Sequence, residues 1–343
     1  MSRMSWKASF SKMHDTYFLL VTVIVLATVF DFINGFHDTA NAIATSVSTR
    51  VLTPRVAVLM AAILNMVGAL AGTAVAKTVG AGLVEASSVT QVTVVSALAS
   101  AIIWDMITWY FGLPTSSSHA VLSSLVGAAI ATAGTRVIIQ KGVYKVLAGL
   151  ILSPFLGILL GFLVMVFLVW LFRRSTPSLV STLFGRLQIV SAAYMAFSHG
   201  NNDAQKTMGI ITMALVSYYH LPDFHVPYWV ILLCATAMAL GTAVGGWRII
   251  KTLGMRLVHL RPIHGFAAET AAATIIEVAS RIGLPISTTH VISSTIMGVG
   301  ASKRLSAVRW GIGGNIVLAW LLTLPACSVL AWLICKGLSL FVQ

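Results

Sequence analysis

Three short polar motifs interrupt the apolar runs of this chain, and each occurs twice, in the same order. Asn34-Gly35-Phe36-His37-Asp38 returns as His199-Gly200-Asn201-Asn202-Asp203, with Gly35 matching Gly200 and Asp38 matching Asp203 at an offset of 165. Gly72-Thr73-Ala74-Val75 returns as Gly241-Thr242-Ala243-Val244. Gly112-Leu113-Pro114-Thr115-Ser116-Ser117-Ser118-His119 returns as Gly283-Leu284-Pro285-Ile286-Ser287-Thr288-Thr289-His290, at an offset of 171. Ser153-Pro154 has a fainter echo in Leu324-Pro325. Coincidence accounts for the Gly-Thr-Ala-Val match alone, but not for an ordered set whose offsets drift by six positions; a duplicated unit does. The sequence divides accordingly into a tail over 1–16, a first repeat over 17–172, a short basic linker over 173–186 and a second repeat over 187–343.

The solvent of that unit follows from composition. Hydrophobic residues make up 58% of the 343 and charged residues 9%, whereas a soluble domain carries about 25% charge. Too few charges remain to coat a globule of this size, so lipid surrounds most of the chain. A cytosolic enzyme, a secreted disulfide scaffold and a disordered protein are excluded together. Cys234, Cys327 and Cys335 lack metal-ligand spacing and read as apolar filler. Apolar runs lie at 17–50, 55–77, 90–111, 115–131, 146–171, 187–216, 228–246, 264–282, 284–301 and 309–337. With ~20 residues needed per span, they predict an all-α polytopic membrane protein of about 10–12 helical segments. The runs 17–50 and 187–216 exceed one untilted helix and each contains a Gly/Asn/Asp cluster, which predicts a broken or continued helix. No cleavage pattern precedes the first span, so that span is expected to direct insertion. Trp6, Trp170, Trp229, Trp310 and Trp332 fall near span ends, as an interfacial belt would.

Lys and Arg number 22 against 9 Asp and Glu. In a soluble protein this excess would suggest nucleic acid. Here the bases sit between spans, as Arg50–Arg55, Arg173–Arg174–Arg186, Arg248–Lys251–Arg256–Arg261 and Lys303–Arg304–Arg309. The segment carrying Asp38 ends in a basic loop, whereas the segment carrying Asp203 ends in a loop over 217–227 with Asp223 and no Lys or Arg. By the positive-inside rule the two halves are inverted. Arg3, Lys7, Lys12, Arg136, Lys141 and Lys145 fall on the outer side, so the bias is modest. Inverted repeats sharing a mid-membrane site are the signature of secondary transporters.

The motif at 113–119 places Pro before a Thr/Ser run, which ends one helix and caps the next. A capped helix start directs backbone N–H groups and the positive dipole end outward, a ready anion site. One copy is equally well read as a helix restart that binds nothing. Two inverted copies bring two positive ends toward one point, which suits an anion with several acceptor oxygens. Candidate ligands are Thr115, Ser116, Ser117, Ser118, Ser287, Thr288 and Thr289, with Asn41, Asn202 and Gln205 from the Gly/Asp motifs.

In those motifs Gly beside Asn and Asp predicts an unwound backbone whose carbonyls are free to coordinate a cation. Asp38 and Asp203 add the hard oxygen ligands that Na⁺, Mg²⁺ or a proton would use; Asn34 and His37 complete the candidate coupling set. Lys206 either contacts the anion or pairs with Asp203 as a helix i,i+3 ion pair. Carboxylates beside an anion site give coupling a reason, because the anion binds well only once the acids are neutralised. His119 and His290 suit packing or capping, and no H-E-x-x-H spacing indicates a resident metal or other cofactor. Asp105, Glu269 and Glu277 lie in apolar spans without matching by offset, as ion-path or structural groups.

The signatures Gly35–Asn41 and Ser198–Asp203, with the two Pro-x-Ser-x-x-His hairpins, resemble the inorganic phosphate transporter (Pit) family over about 17–337. Phe-Ile-Asn-Gly-Phe-His-Asp-Thr-Ala-Asn resembles its bacterial low-affinity branch. The resemblance implies phosphate import by cation symport, free or as a divalent metal–phosphate complex. It also implies an inverted-repeat fold, a homodimer and a multi-pass position in the inner membrane. Phe36-His37 stands where much of the family has Ala-Asn, which points the coupling toward H⁺ rather than Na⁺. The linker is short, without the long hydrophilic loop of some members. A sulfate or other oxyanion symporter is the nearest alternative, since helix ends and hydroxyls do not distinguish tetrahedral anions. An intramembrane metal hydrolase using the His/Asp set is a more distant one.

Overall fold

The computed structural model describes residues 3–85 and 88–341, with side chains from Tyr17 onward. Its elements are helical: α1 (Arg3–Ser48), α2 (Pro54–Ala69), α3 (Ala74–Gly82), α4 (Gln91–Phe111), α5 (Ser117–Ala133), α6 (Gln140–Leu171), α7 (Pro177–Tyr219), α8 (Tyr228–Val244), α9 (Trp247–Lys251), α10 (Pro262–Arg281), α11 (Thr288–Lys303) and α12 (Trp310–Ser339). Among the described residues no strand forms beyond one isolated bridge, Val84 with Ile138. Among the described residues five helices are long and apolar enough to cross a membrane, or up to seven if each bent pair counts as one span. The bent pairs are α2 with α3, turning by 67°, and α8 with the helical stretch Trp247–Arg256 that includes α9, turning by 59°. In lipid this is the arrangement that keeps backbone groups bonded within each segment. Pro154 in α6 and Pro325 in α12 are carried inside continuous helices.

The breaks do not fall at the Gly/Asp motifs. α1 and α7 run without interruption through Asn34–Asp38 and His199–Asp203, so the unwound backbone expected there is absent. The glycines serve close packing instead. A methyl group on Gly35 would run into the Met238 carbonyl of α8, and one on Gly200 into the Asn65 carbonyl of α2. Without a strong hydrophobic drive between helices in lipid, such small-residue seams are how helices associate. Gly127 and Gly298 work likewise, against Ser328 of α12 and Ile158 of α6. Each half thus packs on the other: α2 on α7, α8 on α1, α5 on α12 and α11 on α6.

Two ends of the bundle can be told apart by their tethers. At one, Ile139 N–H donates to Leu83 O (3.0 Å), Ser217 Oγ to Val89 O (2.6 Å), and Thr93 and Thr132 hydroxyls meet at 2.7 Å. At the other, Arg309 N–H donates to Leu257 O (3.1 Å) and Thr49 Oγ1 to Gln188 Oε1 (2.8 Å). The loops of this second end carry Arg50, Arg55, Arg173, Arg174, Arg256, Arg261, Arg304 and Arg309, and it is called the basic end below. The hairpin α4–α5 enters from the opposite end, and α10–α11 from the basic end. Their starts touch where Ser118 Oγ lies 3.4 Å from Ile286 O and the His119 and His290 rings meet edge to face at 4.3 Å. Trp320 stacks on His290 at 3.8 Å, a packing role for both imidazoles.

Candidate functional site

Four elements meet at that contact. α5 begins with Ser116, whose side chain accepts from His119 N–H at 3.1 Å, and α11 begins with Ser287, which accepts from His290 N–H at 3.1 Å. Both hydroxyls are therefore spent on capping, as Ser at this position favours. Each cap leaves a helix N-terminus aimed at the polar segments of α1 and α7.

On α1, Asp38 Oδ1 lies 2.7 Å from His37 Nδ1, and Thr289 Oγ1 approaches Asp38 Oδ2 at 3.5 Å. His37 Nε2 continues to Thr108 Oγ1 on α4 at 3.2 Å. Asn41 Nδ2 donates to Thr289 (2.9 Å) and Thr288 (3.3 Å). On α7, Asp203 accepts from Thr288 Oγ1 at 3.0 Å and from Lys206 Nζ at 2.5 Å. The ammonium also donates to Ser118 Oγ at 2.5 Å and to Ile286 O at 3.0 Å. The i,i+3 pair read from the sequence is present, and it also ties α7 to both hairpins.

None of the predicted ligands (Asn34, His37, Asp38, Asn41, Thr115, Ser116, Ser117, Ser118, Asn202, Asp203, Gln205, Ser287, Thr288, Thr289) is more than 3% exposed. Several keep unused valence. Thr115 Oγ1, Ser117 Oγ, Asn34 Oδ1, Asn41 Oδ1 and Asn202 Oδ1 have no hydrogen-bond partner. Buried polar atoms are usually paired; those of Asp105, His119, His290, Ser293 and Ser294 are open as well. Gln205 is different: its Oε1 accepts from Val75 N–H (2.7 Å) and Ala76 N–H (3.3 Å), which caps α3. Asn202 donates to Ser280 of α10 at 2.8 Å.

His199 belongs to the same motif as Asp203. It lies one turn from Asp203, with Nε2 3.4 Å from Asp203 Oδ2, and Asn65 Oδ1 at 3.1 Å orients its Nδ1. Asp38, His199 and Asp203 each bring one ligand atom within 4.8 Å of the others, close enough to share one cation. Since α1 and α7 are unbroken there, a cation would be held by side chains rather than by freed carbonyls. The i,i+4 spacing within one helix was the available signal.

Four other buried acids lie outside this contact set. Glu269 is buried on α10, holding Thr45 Oγ1 at 2.5 Å, Gln188 Nε2 at 3.2 Å and the Ser191 hydroxyl. Glu277 accepts from Asn201 at 3.1 Å and Arg281 at 2.9 Å. Asp31 accepts from Thr207 Oγ1 at 3.0 Å, and Asp105 is buried with neither oxygen partnered.

A two-ended bundle of bent helices around a buried polar centre is the construction of a membrane transporter. The chain belongs to the phosphate transporter family, whose model matches residues 34–331. A probable low-affinity inorganic phosphate transporter of Rhizobium meliloti (strain 1021) is 48% identical over 315 residues, 91% of this chain and 94% of that one. One of the same description from Bacillus subtilis (strain 168) is 48% identical, covering 91% and 95%. A solved structure described as the sodium-dependent phosphate transporter superposes with a TM-score of 0.86 at 27% identity, over 94% of this chain and 99% of that one. The chain is accordingly a multi-pass membrane transporter and not an enzyme, which removes the metal-hydrolase reading.

Proposed function

We propose that this protein imports inorganic phosphate by cation symport, with alternating access around the centre where α1, α5, α7 and α11 meet. The observation that carries the reading is the pairing of two helix N-termini and unpartnered hydroxyls with two buried carboxylates. Thr115, Ser117 and the backbone N–H groups of α5 and α11 face the phosphate, helped by Ser118, Thr288, Thr289, Asn41 and Asn202. Ser116 and Ser287 hold the helix starts in place, and Gln205 supports α3 beside them.

Asp38 and Asp203, with Asn34 and His37, hold the coupling cation. The acids oppose a phosphate anion until a cation neutralises them, which makes the two binding events depend on one another. One Asp38 oxygen is already engaged by His37 at 2.7 Å, an arrangement that favours proton over sodium coupling. The segments 17–172 and 187–343 act as inverted repeats, a reading supported by hairpins that enter from opposite ends. The transporter works as a homodimer in the inner membrane, as the family resemblance implies, and takes phosphate free or as a divalent metal complex.

Phosphate uptake into proteoliposomes, with pH, sodium and magnesium varied independently, tests all of this. Accumulation driven by an inward proton gradient without sodium supports the reading, and equal drive by sodium at fixed pH would sink the proton assignment. Competition by sulfate separates phosphate from the alternative oxyanion.

A further inference from the structure

The turn of each hairpin is held from outside its own half. α4 has 21 residues and α10 has 20, so each runs ~30 Å and brings its turn to the level of the polar centre, where Thr108 near the end of α4 meets His37. The turn after α4 is Gly112, with φ 66°, and the turn after α10 is Gly283, also with φ 66°. At both, the last carbonyls of a helix form the negative end of its dipole, where a cation is favoured.

Arg248 of α9 supplies that cation for α4. Its Nη1 donates to Tyr110 O at 2.5 Å, and its guanidinium lies 5.0 Å from the ring centres of both Trp109 and Tyr110. Thr252 adds a hydroxyl bond to Gly112 O at 3.0 Å. Trp109 in turn meets Phe36 edge to face at 5.4 Å, directly beside His37 and Asp38 on α1. For α10 the cation is Lys145 of α6, whose Nζ donates to Gly283 O at 3.1 Å. Thr78 of α3 donates to the same oxygen at 2.7 Å. Each turn is thus gripped by one cation and one threonine, and neither grip involves the Asp38–Asp203 centre.

We propose that these grips are separate latches: Arg248 and Thr252 close the path from the centre to the basic end, and Thr78 and Lys145 close the path to the opposite end. This rests on the alternating-access reading, and it names the positioning residues that decide which end opens. Transport requires that one latch release while the other holds. The latches differ in kind, a planar stacked guanidinium on one side and a flexible ammonium on the other. Arg248→Lys therefore weakens the first without abolishing it.

The test uses Ser117→Cys as a buried reporter, with Cys234, Cys327 and Cys335 replaced by alanine. A membrane-impermeant thiol reagent is applied to right-side-out and inside-out vesicles without phosphate. Arg248→Ala, and separately Thr252→Val, should raise labelling from the basic end alone, Arg248→Ala by about tenfold, the equivalent of one charge-assisted hydrogen bond. Arg248→Lys should fall between Arg248→Ala and the parent. Lys145→Ala and Thr78→Val should raise labelling from the opposite end alone. Labelling that rises equally from both ends, from the wrong end, or in none of the variants overturns the latches. Failure of the wild type to accumulate phosphate would instead remove the transport reading and leave the sidedness result standing.

Discussion

Lys206 of α7 donates to Ser118 of α5 at 2.5 Å, at the register where Asn41 of α1 donates to Thr289 of α11 at 2.9 Å. Each residue stands three positions after its aspartate, and each reaches across to a hydroxyl one residue before a hairpin histidine. One contact carries a charge and the other does not. The centre therefore has matched geometry but unequal chemistry: Asp203 pairs with an ammonium, whereas Asp38 pairs with an imidazole.

Lys206→Gln removes that cation and leaves Asp203 buried without it. Breaking a buried pair costs about 3–5 kcal/mol, so the variant should unfold earlier in detergent and lose uptake. Adding Asp203→Asn should recover most of the stability and none of the transport, measured by thermal unfolding and proteoliposome uptake.

Asp38→Asn should keep the fold, because His37 retains a polar neighbour and no buried cation is stranded. Driven accumulation should nevertheless disappear. Wild-type uptake by this variant would remove Asp38 from the coupling set.

His37→Gln keeps a hydrogen-bonding side chain at Asp38 but removes the imidazole that the proton-coupling reading requires. Its uptake should no longer follow an inward proton gradient imposed at constant sodium. An unchanged response to that gradient would show that His37 takes no part in coupling.

Ser117→Ala and Thr115→Val delete hydroxyls that have no protein partner. Each should raise KM for phosphate by roughly tenfold with little change in thermal stability, the worth of one hydrogen bond to a charged ligand. Ser116→Ala should do the reverse, lowering stability by about 1 kcal/mol through loss of the α5 cap.

Gly200→Ala places a methyl group against the Asn65 backbone and should destabilise by ~1–3 kcal/mol. Gly185→Ala lies on the same helix with nothing within 4 Å. It should be neutral or stabilising by up to ~1 kcal/mol, since Ala favours a helix over Gly. Paired melting curves decide it.

Much of this protein is readable in its residues. Scarce charge required lipid, periodic apolar runs required helices, and the doubled Pro-x-Ser-x-x-His segments marked two capped helix starts. Asp38 and Asp203 stood out because acids are rare in such a chain and these two recur at matching points. The backbone at the Gly/Asp motifs is helical rather than unwound for a physical reason. Gly next to Asn and Asp favours a break when nothing packs against it, and only the position of α2 and α8 shows that these glycines receive another helix.

Sequence also could not say which hydroxyls were free. Ser116 and Ser117 are neighbours of one type, yet one caps a helix and the other has no partner. Gln205 sits two residues from Asp203 but faces away to cap α3. Local chemistry is enough to choose the solvent, the helices and the residue types of a polar centre, because those depend on each residue's own transfer and capping energies. Which polar atoms remain unspent, and which cation holds which turn, depends largely on contacts between residues far apart in the chain, and these exist only once the bundle has packed.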